Sequence, residues 1–182
     1  RRGHLYLADS NIDWGQDIKR LATYARSHPG ETIKLSYFGS GNPLKYGFDC
    51  EELISFIQFG GKPVQFTAGT YVISVNQMLA LNYWQVSDEV WRNPSKLERY
   101  RRALATLAQP LAEHASAEER GEREALAWMT RLDQQALLLN GLRRRKPDDR
   151  IGYSLHVHRL SQKEVDELLR LEVTRKAARG AI

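Results

Sequence analysis

The densest group of chemically capable side chains in this sequence lies at residues 9–17, directly after a short apolar run. It combines acids, amides, a hydroxyl and an indole, in the order Asp9, Ser10, Asn11, Asp13, Trp14, Gln16 and Asp17. Carboxylates such as Asp9 and Asp13 can coordinate a hard cation, or one can act as a base. Asn11 or Asp13 can instead cap the helix expected near Trp14. Capping accounts for one residue, so Asp9, Asn11, Asp13, Trp14 and Gln16 become candidates for binding a ligand or a partner.

A second polar loop, reading YFGSGNP at residues 37–43, also follows a predicted strand. In a parallel sheet it faces the same crevice as the first loop, beyond the carboxyl ends of the strands, where such sheets bind ligands. Its glycines can cradle an anion, but their spacing matches neither common nucleotide motif. Aromatic walls around the loop suit sugar or isoprenoid-phosphate contact as readily as plain packing. Tyr37, Asn42 and Tyr46 are therefore further binding candidates.

Two histidines and one cysteine offer little further chemistry. His156 and His158 share a strand face at a spacing that supplies two metal ligands, but a third has no obvious candidate. They are expected on the wetter face of the strand, opposite the apolar set Tyr153, Leu155 and Val157. Cys50 is the single cysteine, which excludes an intrachain disulfide, and its acidic neighbours predict a raised thiol pKa. The sequence predicts neither a metal nor a cofactor.

Strand and helix patterns alternate through the first half of the chain. Strands are predicted at 5–8, 32–38 and 151–160, with two short extended segments in 64–75. Helices are predicted at 15–27, 50–59, 76–83, 96–111 and 118–142, and after Ser161, where Glu164 completes a capping box. The order predicts an α/β fold in three layers, with a mostly parallel or mixed sheet of about four to five strands and helices on both faces. One soluble domain is expected over 1–174, with a helical insertion at about 93–146, and a basic, disordered tail over 175–182.

The charge is uneven along the 182 residues, of which 42% are hydrophobic. Residues 1–91 carry 8 Lys and Arg against 9 Asp and Glu, whereas residues 92–182 carry 19 against 13. The basic run at 143–146 can bind an anionic surface, but it is also typical of a solvated helix end. It lacks interleaved aromatic residues, so nucleic acid is not an expected partner. No run approaches the roughly 20 apolar residues of a membrane span.

Four sequence blocks together carry a family resemblance: LADSNIDWGQD, LSYFGSGNPLKYG, AGTYVISVNQMLAL and DRIGYSLHVHRL. They resemble the soluble C-terminal domain of bacterial multi-pass membrane glycosyltransferases of the dolichyl-phosphate-mannose–protein mannosyltransferase-like, or aminoarabinose-transferase-like, superfamily. The DSN-x-DWGQD string is the most specific of the four. The helices between Asn93 and Leu142 match nothing in that family.

The resemblance implies an auxiliary domain on the extracytoplasmic face of the bacterial inner membrane, inactive alone. Its partners would be the membrane-spanning part of the same polypeptide and a glycan or polyprenyl-phosphate headgroup. The sugar donor is a polyprenyl phosphate, and the family's catalytic acid lies outside this chain, so no catalytic residue is carried over. Two alternatives stay open: a free-standing soluble α/β enzyme with a cation-assisted acidic site, and a module that binds a protein or a membrane.

Overall fold

The computed structural model of the protein describes residues 15–55, 62–78 and 92–170. The strands are β1 (Ile33–Ser36), β2 (Glu51–Glu52), β3 (Lys62–Pro63), β4 (Gly69–Ser74), β5 (Asp149–Ile151) and β6 (Leu155–Leu160). The helices are α1 (Ile18–Ser27), α2 (Val75–Met78), α3 (Pro94–Ala108), α4 (Ala117–Leu142) and α5 (Gln162–Leu168), with a 3-10 turn at Pro43–Tyr46. The strand expected at 5–8 and the tail at 175–182 lie outside the described residues. None of the helices in the described ranges is both long and apolar enough to cross a membrane.

The strands form one mixed sheet, which has six strands within the described residues, in the order β3-β2-β1-β4-β6-β5. Strands β1 to β4 are parallel to one another, whereas β6 runs antiparallel to both β4 and β5. The predicted α/β fold class is therefore confirmed. The strand count exceeds the expected number because β2 and β3 have only two residues each, too few to show a periodicity. In addition, the strand predicted over 151–160 is a hairpin, with a turn at 152–154.

Helices cover both faces of the sheet, as the three-layer prediction requires. Successive side chains of a strand point to opposite faces, and β4 shows this alternation. Val72 packs with Leu21 of α1 in one buried cluster. Tyr71 and Ile73 pack with Leu138 of α4 in another, to which α3 and α5 also contribute. The sheet is thus buried on both sides, in keeping with the apolar run of β4 at its centre.

The helical insertion forms as predicted, with α3 and α4 as its two long helices. A buried ion pair joins them, because Lys96 Nζ lies 2.6 Å from the Asp133 carboxylate and both side chains are about nine-tenths buried. The apolar side chains of α4 are fully buried only in its second half, for example at Ala136 and Leu139. Met129 is half-exposed, so the first half of α4 projects from the core.

The predicted cap of the last helix is confirmed. Ser161 Oγ accepts a hydrogen bond from the backbone N–H of Glu164, while the Glu164 carboxylate accepts one from the backbone N–H of Ser161 at 2.8 Å. The bonds from Ser161, together with one from Arg145, lower the pKa of Glu164 to about 2. The same reciprocal arrangement at Ser116 and Glu119 starts α4. These caps fix the helix starts on either side of the β5–β6 hairpin.

The helix predicted over 50–59 is wrong in its first part, where Glu51 and Glu52 form strand β2; residues 56–59 lie outside the described ranges. The physical reason is a buried charge on β1. Lys34 is fully buried, and its ammonium group lies 2.7 Å from the Glu51 carboxylate, which holds Glu51 beside β1. The amide of Gln135 then bonds both the N–H and the C=O of Ile54, so the chain stays extended.

The histidine pair lies on a buried face, which corrects the expectation of a wetter one. His156 is 8% exposed and His158 is 0% exposed. They pair with Ile73 and Tyr71, the β4 residues that face α4 and α5. Tyr153, predicted to join the apolar set of the strand, lies in the hairpin turn and is 84% exposed. The alternation of the sequence is real, but both faces of this strand are covered.

Burial of His158 predicts that stability falls in mild acid. Burial lowers the pKa of His158 to about 4, opposed by the charge of Asp148 and assisted by that of Arg145. An unfolded histidine titrates near pH 6.5, so between about pH 6.5 and pH 4 the unfolded chain binds more protons than the folded one. The free energy of unfolding therefore decreases as the pH is lowered through this range. The loss amounts to roughly 3 kcal/mol between pH 7 and pH 4.

The check is urea denaturation of the wild type and of His158→Phe across this pH range. The variant should lose this part of the pH dependence, whereas His114→Phe, a change at an exposed histidine, should keep it. A wild-type pH slope in His158→Phe would contradict the assignment to His158.

Candidate functional site

Loops that are distant in the sequence meet at the carboxyl end of β1. The Tyr37 hydroxyl donates a hydrogen bond of 3.0 Å to the carbonyl oxygen of Gly15. Gly15 has a φ of +86°, and a Cβ added at Gly39 would lie 2.6 Å from the Gly15 Cα. Two glycines therefore touch backbone to backbone, which any larger residue at either position would prevent. This contact holds Gly15, near the end of the first polar loop, against the second loop.

Asp17 joins the same loops to the β5–β6 hairpin. Its side chain is completely buried and accepts hydrogen bonds from the backbone N–H groups of Tyr153 at 2.9 Å and Ser154 at 3.1 Å. The Ser154 hydroxyl donates a third at 2.9 Å, and Arg20 lies 2.6 Å from the other carboxylate oxygen. Burial raises the pKa of Asp17, but the bonds from Arg20, Ser154 and Tyr153 outweigh it, so the pKa is lowered. Asp17 is thus an ionised anchor of the hairpin turn.

The third sequence block, AGTYVISVNQMLAL, reaches this edge through β4. The backbone N–H of Val75, directly after β4, donates a hydrogen bond of 2.8 Å to the carbonyl oxygen of Ser154. All four blocks that carry the family resemblance are therefore bonded together at one edge of the sheet. We call this edge, made of residues 15–17, 36–41, 74–77 and 152–154, the polar junction.

Of the candidate residues in the first loop, only Gln16 is among the residues that the structure describes. The other four lie outside the described ranges: Asp9, Asn11, Asp13 and Trp14. Gln16 is described and is exposed, between the buried Gly15 and Asp17.

The candidates of the second loop have contacts that shape it. Tyr37 is buried, with its hydroxyl bonded to Gly15 as described above. Asn42 caps the 3-10 turn, because its side-chain oxygen accepts from the backbone N–H of Leu44 at 2.9 Å. Tyr46 is partly buried against the cluster that contains α1. The structure brings Tyr37 and Gln16 to the polar junction and places Asn42 and Tyr46 on the turn beside it.

The sequence analysis named no candidate among several buried polar residues of the polar junction, of which Ser36, Ser74 and Gln77 are examples. Ser36, Ser74 and Gln77 are all 0% exposed. Ser74 Oγ accepts from the backbone N–H of Asn76 at 3.3 Å. Within the described residues, Ser36 Oγ and both polar atoms of the Gln77 amide have no hydrogen-bond partner. The signal was present: Ser, Asn and Gln interrupt an apolar run where a buried strand ends.

Cys50 lies at the opposite edge of the sheet, in the lining of a cleft of about 460 Å³. Burial, followed by the charges of Glu52, Asp49 and Glu51, raises the pKa of its thiol to about 12. The predicted direction is confirmed, with burial as the larger cause. A thiol in this setting stays protonated and is a poor nucleophile. In the part of the chain that the structure describes, no group of three or more His, Cys, Asp or Glu residues could hold a metal ion.

The basic run at 143–146 is partly neutralised by its own fold. Arg145 bonds the carboxylate of Glu164 and lies 3.7 Å from that of Asp148. Arg144 donates to the Asn140 side chain at 2.9 Å. These contacts are those of a solvated helix end, one of the two interpretations that the sequence left open.

Comparison of the chain with protein-family models, with curated proteins and with solved structures finds no match.

Gly152, in the turn that bonds Asp17, should be unusually costly to replace. Gly152 has a φ of +61°, and a Cβ there would collide with the Asp17 carboxylate. Gly47 also has a positive φ, +79°, but a Cβ there would meet nothing within 4 Å. We expect Gly47→Ala to lower the free energy of unfolding by about 1 kcal/mol through backbone strain, and Gly152→Ala by roughly 3 kcal/mol.

Urea denaturation of both variants measures the difference. Equal losses would mean that the carboxylate does not hold the turn as described.

Proposed function

We propose that the chain is an auxiliary extracytoplasmic domain of a membrane-bound glycosyltransferase that uses a polyprenyl-phosphate sugar donor. One observation carries the proposal: the four sequence blocks of the family resemblance, far apart in the chain, bond to one another at the polar junction. The partner is the membrane-spanning part of the same polypeptide, at the outer face of the bacterial inner membrane.

The way in which the polar junction is built supports a functional surface over mere core packing. Core packing needs apolar side chains, and the two apolar clusters already supply them. The polar junction instead uses a buried tyrosine hydroxyl and a buried carboxylate to fix three loops. Loops held rigidly at the carboxyl ends of parallel strands are a common way to present binding groups. The acidic string with Asp9 and Asp13 leads directly into this anchored segment.

The chemistry of the described residues supports an auxiliary role over catalysis by the domain itself. Asp17 is the buried carboxylate of the polar junction, and its hydrogen bonds and lowered pKa make it a weak base. The Cys50 thiol is protonated at neutral pH and lies at the other edge of the sheet. Transfer would then depend on an acid in the membrane-spanning part, with this domain shaping the site or docking the acceptor.

The test is the double variant Asp9→Asn, Asp13→Asn in the full-length polypeptide, reconstituted in lipid. We expect sugar transfer, or assembly of the enzyme, to fall at least about tenfold, because the binding surface loses both charges. The matched control is Glu122→Gln, Glu124→Gln, which removes the same charge from exposed positions on α4 and should transfer normally. Circular dichroism should show both proteins folded. Wild-type transfer by the Asp9, Asp13 variant would refute the functional role of this loop.

The reading frame upstream of Arg1 separates this function from the free-standing enzyme. The proposal requires several apolar spans of about 20 residues there. Their absence, together with binding of magnesium, manganese or calcium in calorimetric titration, would favour the cation-assisted soluble enzyme instead.

A further inference from the structure

Gln77 is a buried side chain whose hydrogen-bonding capacity the described protein leaves unused. It is 0% exposed, and neither Oε1 nor Nε2 has a hydrogen-bond partner within the described residues. Ser36 Oγ, also at 0% exposure, likewise has no hydrogen-bond partner within the described residues. Buried polar groups are nearly always hydrogen-bonded, because leaving one unpaired forfeits its bonds to water. These two residues therefore require an explanation beyond packing.

Gln135 shows how this fold treats a glutamine that is purely structural. It is 1% exposed, and its amide bonds the N–H of Ile54 at 2.7 Å and the C=O of the same residue. The two side chains are equally buried, but within the described residues only the amide of Gln135 has hydrogen-bond partners. The difference lies in their positions, since Gln135 faces a chain segment and Gln77 lies at the edge of the sheet.

The edge in question is the one at which the strand order reverses. From β1 the chain goes to β2 and β3 on one side, and then crosses to β4 on the other side of β1. In open parallel sheets, ligands bind outside the carboxyl ends of the two strands at such a reversal. Ser36 is the last residue of β1, and Gln77 lies just past Ser74, the last residue of β4. The unpartnered groups thus lie where this topology places a ligand.

The chemistry of the edge selects a neutral ligand. An amide and a hydroxyl each donate and accept hydrogen bonds but carry no charge. His158, on the sheet face shared with Ser36, is neutral at neutral pH because burial lowers its pKa to about 4. The carboxylate of the polar junction, Asp17, is already paired with Arg20 of α1 at 2.6 Å. A phosphate would lose its hydration here without gaining a free cation, whereas sugar hydroxyls match both groups.

We propose that Gln77 and Ser36 form a subsite for the neutral hydroxyl groups of a sugar, a substrate assignment that rests on the proposed function above. The phosphate of a lipid-linked donor would lie outside this subsite.

Stability of the 182-residue protein gives the first test. Gln77→Met removes an unpaired amide at similar volume, so we expect the melting temperature to rise by about 2–4 °C. Gln135→Met breaks two hydrogen bonds and should lower it. Ser36→Ala and Ser154→Ala form a second matched pair, with a rise or no change expected for the first and a fall for the second, because Ser154 donates to Asp17. A fall in Gln77→Met as large as that in Gln135→Met would show that the amide already has a structural partner, and would overturn the subsite.

Ligand binding gives the second test, with methyl mannoside and methyl glucoside as neutral probes and inorganic phosphate as the charged one. In saturation-transfer NMR we expect signal from the glycosides, reduced at least about fivefold in Gln77→Met and unchanged in Gln109→Met, a change on the protein surface. Signal from phosphate without glycosides would overturn the sugar assignment. Absence of glycoside signal, or glycoside signal unaffected by Gln77→Met, would overturn the subsite.

The experiments can refute each of the two proposals independently of the other. A stabilised Gln77→Met with lost glycoside binding supports the subsite even if the Asp9, Asp13 double variant transfers sugar normally. That second result would refute the role proposed for the acidic loop alone.

Discussion

The buried Asp17 carboxylate is the contact on which the arrangement of the loops depends. It lies just before α1 and accepts bonds from a turn 136 and 137 residues further along the chain. A buried carboxylate without these partners would be strongly unfavourable, whereas with them it fixes both chain segments at once. The start of α1, the β5–β6 hairpin and, through Ser154, the end of β4 are positioned by this one group. Gly152 is required because the turn passes so close to it.

Much of the fold could be predicted because its signals are local. The long helices of the insertion and the Ser161–Glu164 cap depend on residues within one or two turns of each other. The position of the second polar loop directly after β1 could be predicted for the same reason. Strand β2 could not, because Glu51 is held by a lysine 17 positions earlier and its own neighbours have helical spacing. His158 illustrates the same limit, since a strand pattern cannot show that a second layer of helices covers its polar face.

The sequence predicted that polar loops meet at one edge of the sheet, but it did not predict the roles of the individual residues there. The two polar loops were expected to face the same edge, and Tyr37 of the second loop does meet Gly15 there. The role of Asp17 depends on partners far along the sequence, which spacing cannot reveal. Gln77 was hidden for a different reason, since it lies in a short helix of otherwise ordinary composition. Both glutamines are buried, and what distinguishes Gln77 from Gln135 is that its amide has no hydrogen-bond partner within the described residues.

The outermost strands of the described sheet have a consequence for behaviour at high concentration. β3 is two residues long and contains Pro63, which has no N–H to offer, and β5 has three residues, of which Asp149 and Arg150 are charged and exposed. A neighbouring molecule would find few free backbone groups at either end on which to extend the sheet. Within the described residues, the two outermost strands of the sheet therefore offer little backbone on which another copy could add a strand.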